Sequence, residues 1–260
     1  MASRTTWPWL YLLALILLQW WLAHAIVFFT HEYAHSTVAW LLGWKASPFD
    51  LHFPPLSARV LLIQLGIDQN VNEAPIFAAG RGVDVGLIAI AGMVLGNGLI
   101  TLPISRWAWR RAARLGARGW AMLAYWCTVA SIGNLIDYVP IRTFTLESDM
   151  GSVQKGFGWS SWTLLIVLGV PILIVLVHFL LRTVPASLTW LFPASLARRI
   201  AVAWLTMLAL FGFYGAAGFV EGGEISRLFS TISVFGAVPL MAALEIAILW
   251  RKRHPGNEYP

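Results

Sequence analysis

Charge is what this sequence has least of. Only 12% of its 260 residues are Asp, Glu, Lys or Arg, where a soluble domain is typically about a quarter charged. Cysteine is almost as scarce: Cys127 stands alone, which excludes an internal disulfide and leaves the redox compartment unreadable. There is no internal repeat, no low-complexity tract and no stretch that reads as a soluble domain. What fills the chain instead is apolar. Hydrophobic residues make up 58% of it and the mean hydropathy is +0.71, the composition of a polytopic membrane protein. Fifteen tryptophans suit the two membrane–water interfaces. The net charge of +6 would suit a nucleic-acid binder, but most arginines lie between apolar runs, where they orient a membrane protein. The expected surroundings are therefore a lipid bilayer and no nucleic acid.

Runs long enough to span a bilayer, which takes about 20 residues, occur at about 8–43, 83–104, 119–139, 160–181, 199–220 and 229–250. The 105–118 connection carries Arg106, Arg110, Arg111, Arg114 and Arg118. Arg182, Arg198 and Arg199 surround the next connection on that side, and Arg251, Lys252 and Arg253 follow the last run. With Arg4 at the N-terminus, the positive-inside rule gives six spans with both termini cytoplasmic. The connections at 45–81 and 140–159 then lie on the far side. The expected fold is an all-α polytopic membrane protein of about six transmembrane helices, forming one integral membrane domain over 1–260. A bacterial inner (cytoplasmic) membrane is the expected location.

The first run is long. No proline follows Pro8 and no glycine precedes Gly43. It is either one tilted, protruding helix or two segments broken near Ala23-His24-Ala25. Signal-peptide cleavage after that Ala-x-Ala is disfavoured by an n-region holding only Arg4. In the 45–81 connection, Pro54-Pro55 rules out a continuous helix, and "ARVLLIQL" is short enough for a strand. A short extended or β-hairpin segment near the membrane surface is expected there.

His31-Glu32-Tyr33-Ala34-His35 is an H-E-x-x-H pattern inside an apolar run. Residues four apart stand one above the other on a helix, so both imidazoles face one point and can bind one metal. Zinc takes imidazole nitrogens at about 2.0–2.1 Å, and its catalytic sites use three protein ligands and a water. Glu32 is placed to act on that water as general base. A lone membrane histidine is usually a satisfied bundle contact, but three ionisable groups at metal-site spacing are costly to bury unused. His24 lies two turns, about 10 Å, before His31, too far for the same ion, and suits a bundle contact or a polar path. His52, His178 and His254 have no partner spacing.

On HEYAH the chain resembles the site-2 protease family of intramembrane zinc metalloproteases. That family joins H-E-x-x-H to a distant Asn…Pro…Asp-Gly region supplying the third ligand. Here "GNLIDYVPIRTFTLESDMGSV" holds Asn134, Pro140, Asp149 and Gly151, with Met150 interrupting the Asp-Gly pair. The family's Gly-Pro-x-x-Asn element has a counterpart in "AGMVLGNGL", with Gly92 and Asn97 but no proline. The resemblance covers roughly 25–155, so the protease-like core is about 8–155, with additional helices at about 160–250. It implies Zn2+ held by His31, His35 and an aspartate, with Asn134 and Asn97 positioning substrate. Two aspartates compete: Asp137, three residues after Asn134, and Asp149. The order Asn, Pro, Asp, Gly selects Asp149. Many family members are thought to place the site nearer the cytoplasm, whereas the arginine pattern puts HEYAH towards the opposite side.

The reading that follows is a membrane-embedded zinc metallopeptidase acting on a membrane protein or membrane peptide. The competitors are a zinc hydrolase cutting a lipid or lipid-linked amide or ester, and a non-catalytic membrane scaffold or transporter component that keeps an inherited metal site.

Overall fold

The computed structural model describes residues 8–253; Arg4 and His254 lie outside them. Six helices are long and apolar enough to cross a membrane: α1 (Trp9–Leu41), α4 (Gly82–Arg114), α5 (Arg118–Phe144), α7 (Ser161–Leu191), α8 (Leu196–Val220) and α9 (Glu224–Arg251). Three short helices, α2 (Ala58–Ile63), α3 (Glu73–Ala78) and α6 (Asp149–Phe157), lie between them. This is an integral, multi-pass, all-α membrane protein.

α1 is one unbroken helix of 33 residues, about 50 Å long against an apolar bilayer thickness of about 30 Å. Pro8 precedes its first turn and Gly43, at φ +80°, ends it. There Gly43 N–H donates to Trp40 O and Trp44 N–H to Ala39 O, the paired bonds of a left-handed glycine stop. The break considered near Ala23-His24-Ala25 does not occur. His24 is a bundle contact, its Nδ1 2.8 Å from the hydroxyl of Tyr214 in α8.

The expected strand over "ARVLLIQL" is corrected: Ala58–Ile63 is helical, with Ser57 capping its N-terminus. Among the described residues no strand forms, and the hairpin is reduced to a single antiparallel bridge, His52 with Asp68. Nor does the segment stay at the end of α1. Phe49 packs near Tyr33, Phe53 near Phe29, and the Trp21 indole N–H donates to Leu61 O. Leu61 therefore sits level with a residue about 30 Å back along α1 from Leu41. Its apolar residues favour this return along an apolar helix, and irregular backbone inside a membrane needs its polar groups satisfied locally. Lys45 supplies part of that, bonding the carbonyls of Asp50, Gln69 and Asn70.

α5 is the central helix: 83% of its apolar window is buried, against 22% in α7 and 28% in α9. Its residues Met122, Tyr125, Trp126 and Val129 join one core with Leu12 and Ile16 of α1, Phe179 and Leu188 of α7, Met207 of α8 and Leu249 of α9. The last three helices thus share the core of the first three. α4 is pinned beside the end of α1 by the Trp44 indole N–H on Asp84, itself paired with Arg81 at 2.8 Å.

The arginine-rich connections share one end of this bundle, and the start of the 45–81 segment and the 140–159 connection the other. In protein whose buried Cys127 is replaced by serine, Ala46→Cys, at an exposed position just past the end of α1, is expected to react with an impermeant thiol reagent from outside intact cells. Ala194→Cys is expected to react only after permeabilisation; the reverse pattern inverts the orientation.

Candidate metal centre

HEYAH occupies the second half of α1, between about 1.7 and 2.8 turns before its end at Leu41. His31, Glu32 and His35 are all buried. The Nε2 atoms of His31 and His35 face one another at 2.9 Å. Asp149 Oδ2 completes a triangle, 3.6 Å from His31 Nε2 and 3.3 Å from His35 Nε2. Among the described residues these three make the one group of His, Cys, Asp or Glu whose ligand atoms converge in this way. Four ligands placed tetrahedrally at about 2.0–2.1 Å from zinc are about 3.3 Å apart, and the three separations bracket that value. The donor set, two imidazoles and a carboxylate, is also one that zinc accepts in catalytic sites.

The surroundings prepare the two imidazoles for this. His35 Nδ1 lies 2.6 Å from Ile88 O, so Nδ1 carries the proton and Nε2 keeps its lone pair. The Gly92 N–H, 3.3 Å from the same Nδ1, then has no lone pair there and is the lesser contact. The Asn97 amide lies 3.0 Å from His31 Nδ1. A half-turn of that amide decides which of its atoms faces the ring, and with Oδ1 accepting, His31 likewise presents Nε2. Such outer partners set tautomer and ring orientation in metal sites. Tyr138 stacks on the His31 ring at 4.8 Å between centroids.

Glycine makes the arrangement possible. A Cβ on Gly92 would lie 2.2 Å from His35 Nε2 and 2.5 Å from His31 Nε2, and one on Gly96 would lie 2.9 Å from Thr30 O. At these two positions α4 therefore meets α1 with no side chain of its own between them, where α4 widens into a π-helical stretch over Gly92–Thr101. Such insertions are frequent at functional sites. On its other side α4 meets α6 through a second glycine seam, where a Cβ on Gly156 would be 2.5 Å from Gly86 N. That seam, with Gln154 Nε2 donating to Thr143 O, holds Asp149 over the histidines.

Asp149 opens α6, where a helix N-terminus favours a carboxylate. Burial opposes its ionisation, but the imidazoles of His35 and His31 outweigh burial and hold its carboxyl well below the usual range. Asp137 is not part of the cluster. It pairs with Arg142 at 3.0 Å. Asn134 donates to Ala130 O in its own helix, and its amide makes no described bond to the cluster. Asn97, expected to position substrate, is engaged with His31. Glu32 has Oε2 buried without a hydrogen-bond partner among the described residues, while His35, Asp149 and Asp68 all act on its charge.

Three nearby residues escaped the sequence reading as site residues. Tyr138 and Glu73 carry no spacing signal, and Gly92 was noted only as part of a motif. Glu73, on α3, accepts from Ser152 Oγ at 2.7 Å and so ties the 45–81 segment to α6. Burial raises its carboxyl above the ordinary range, opposed by that hydrogen bond.

Comparison of the chain with protein-family models, with curated proteins and with solved structures found no match in any of the three.

Gly92→Ala is expected to destabilise the fold by about 1–3 kcal/mol through overpacking and to abolish zinc retention, read by thermal unfolding and elemental analysis. Gly98→Ala, whose Cβ meets only Met93 O at 3.5 Å, serves as control. Asn97→Ala is expected to lower zinc affinity by about 10–100-fold, the usual cost of losing an outer partner, and unchanged affinity refutes that role.

Proposed function

We propose that this protein is a zinc metallopeptidase that hydrolyses a peptide bond of a membrane protein or membrane peptide, within or beside the bilayer. The observation that carries the reading is the convergence of His31 Nε2, His35 Nε2 and Asp149 Oδ2. Three such donors facing one point in an apolar environment are mutually repulsive without a proton or a cation among them. The resemblance of HEYAH and its distant aspartate to the site-2 protease family points the same way. The membrane proposed is a bacterial cytoplasmic membrane, with the arginine-rich end towards the cytoplasm.

When bound, zinc supplies Lewis acidity to a water and to the scissile carbonyl. The rest is the work of the chain's own groups. His31 and His35 hold the ion through Nε2, their other nitrogens fixed by Asn97 and Ile88. Asp149 balances part of its charge. Glu32, one residue from His31 and with Oε2 unbonded, accepts the proton of the attacking water and returns it to the departing amide nitrogen. The Asp68–Gln69 stretch of the returning segment lies over Glu32 and limits the entry of bulk water.

An apolar groove of about 480 Å³ runs beside Val139 and Pro140, directly after Tyr138, and is bounded by Leu165, Ile172 and Phe229. It suits the apolar side chains of a membrane peptide. An acyl chain would fill it equally well, and this favours, as second reading, hydrolysis of a lipid or lipid-linked amide or ester.

Purified protein is expected to hold one zinc per chain, and His31→Ala or His35→Ala to lose it. Asp149→Asn is expected to lose zinc while Asp137→Asn keeps it; the opposite result transfers the third ligand to Asp137. Glu32→Gln is expected to keep zinc and lose activity by about 10²–10⁴-fold, the usual share of a general base. The readout is the set of peptides and lipids in membranes expressing either form. A peptide product that vanishes in Glu32→Gln supports the first reading and a lipid product the second. Unchanged products with full biological function leave a non-catalytic scaffold.

A further inference from the structure

At the opposite end of the bundle, α4, α5 and α7 line a half-open cavity of about 620 Å³, within the range of about 300–1,000 Å³ usual for small-molecule sites. Its lining is graded along the helices. Ile132 and Ile174 line the deeper part, towards mid-bundle. Arg106, Arg110 and Arg182 line the part nearest the arginine-rich end. No acidic residue lines the cavity, and among the described residues none of these three arginines has an acidic partner. Trp109 lines it as well, and its indole N–H is buried without an acceptor. A cluster of three unneutralised guanidinium groups above an apolar slot asks for a ligand with an anionic head and a hydrocarbon tail.

We propose that this cavity binds an anionic phospholipid, its phosphate between Arg106, Arg110 and Arg182 and an acyl chain reaching past Phe179 to Ile132 and Ile174. Guanidinium groups bond phosphate oxygens through paired N–H donors, and the Trp109 N–H supplies a further donor. The positive-inside orientation places this end at the cytoplasmic leaflet, where anionic lipids concentrate. A zwitterionic lipid leaves the cationic cluster unbalanced, and free phosphate leaves the apolar part unfilled. The site is separate from the metal centre and does not rest on its chemistry.

Native mass spectrometry of the purified full chain tests this with dioleoyl phosphatidylglycerol and dioleoyl phosphatidylcholine as probes. The wild type is expected to retain the glycerol lipid in preference to the choline lipid. Each Arg→Gln change at 106, 110 or 182 is expected to weaken that retention by about fivefold, and Arg227→Gln, at the other end, to leave it unchanged. Ile174→Trp, which fills the slot with the arginines intact, is expected to weaken it too. Zinc content read in the same spectra should match wild type throughout, which separates this outcome from that of the metal centre. Equal retention of the two lipids overturns the proposal, as does retention that survives loss of all three arginines. Complete displacement by inorganic phosphate reassigns the site to a free anion and also overturns it.

Discussion

The approach of α1 to α4 at Gly92 is the contact on which the site depends. The space that a side chain would need there is filled by the ring nitrogens of His31 and His35. Only at this separation does His35 reach the Ile88 carbonyl and His31 the Asn97 amide. In lipid there is little hydrophobic force between helices, and small residues that let backbones touch replace it. α4 uses the device twice. One glycine seam faces α1 and the other, through Gly82 and Gly86, faces α6. A single helix thus sets the distance between the histidines and the aspartate that meets them.

The second constraint is the cost of polar groups in an apolar medium. Most of those inside the bundle are matched: His24 with Tyr214, Tyr125 with Thr206, Asp137 with Arg142, and Lys45 with three carbonyls. Among the buried polar atoms left without a hydrogen-bond partner in the described residues are Oε2 of Glu32, beside the His31–His35–Asp149 cluster, and the indole N–H of Trp109 at the basic cavity.

Helices α7, α8 and α9 carry no catalytic pattern, and their residues share the core of the first three spans. Tyr214 of α8 fixes His24 and packs over Gly133 of α5, which seats α1 against the central helix. α7 and α9, with most of their surface outward, give that core its lipid-facing walls; α7 and α5 line both cavities, joined by α4 at one and by α9 at the other.

What the sequence determined by itself is what depends on neighbours along the chain. Six apolar runs became six spanning helices because length and hydropathy are local properties. The run from Trp9 to Leu41 is unbroken because nothing in it interrupts a helix. His31 and His35 point to one place because four residues make about one turn. The returning 45–81 segment was only half legible: Pro54-Pro55 broke it as expected, but strand and helix are not separable by pattern over six residues of which five are apolar, and α1 offered those residues an apolar partner. The tertiary structure alone decided the rest. Asp137 and Asp149 are both carboxylates near the end of α5, and only the packing of α6 on α4 brings Asp149 to the histidines while Arg142 takes Asp137. Asn97 and Gly92 acquire their contacts the same way, across about sixty residues of chain. Helical periodicity is written in the backbone and needs no partner, whereas the meeting of distant residues depends on how closely helices pack, and in a membrane no hydrophobic pattern records that distance.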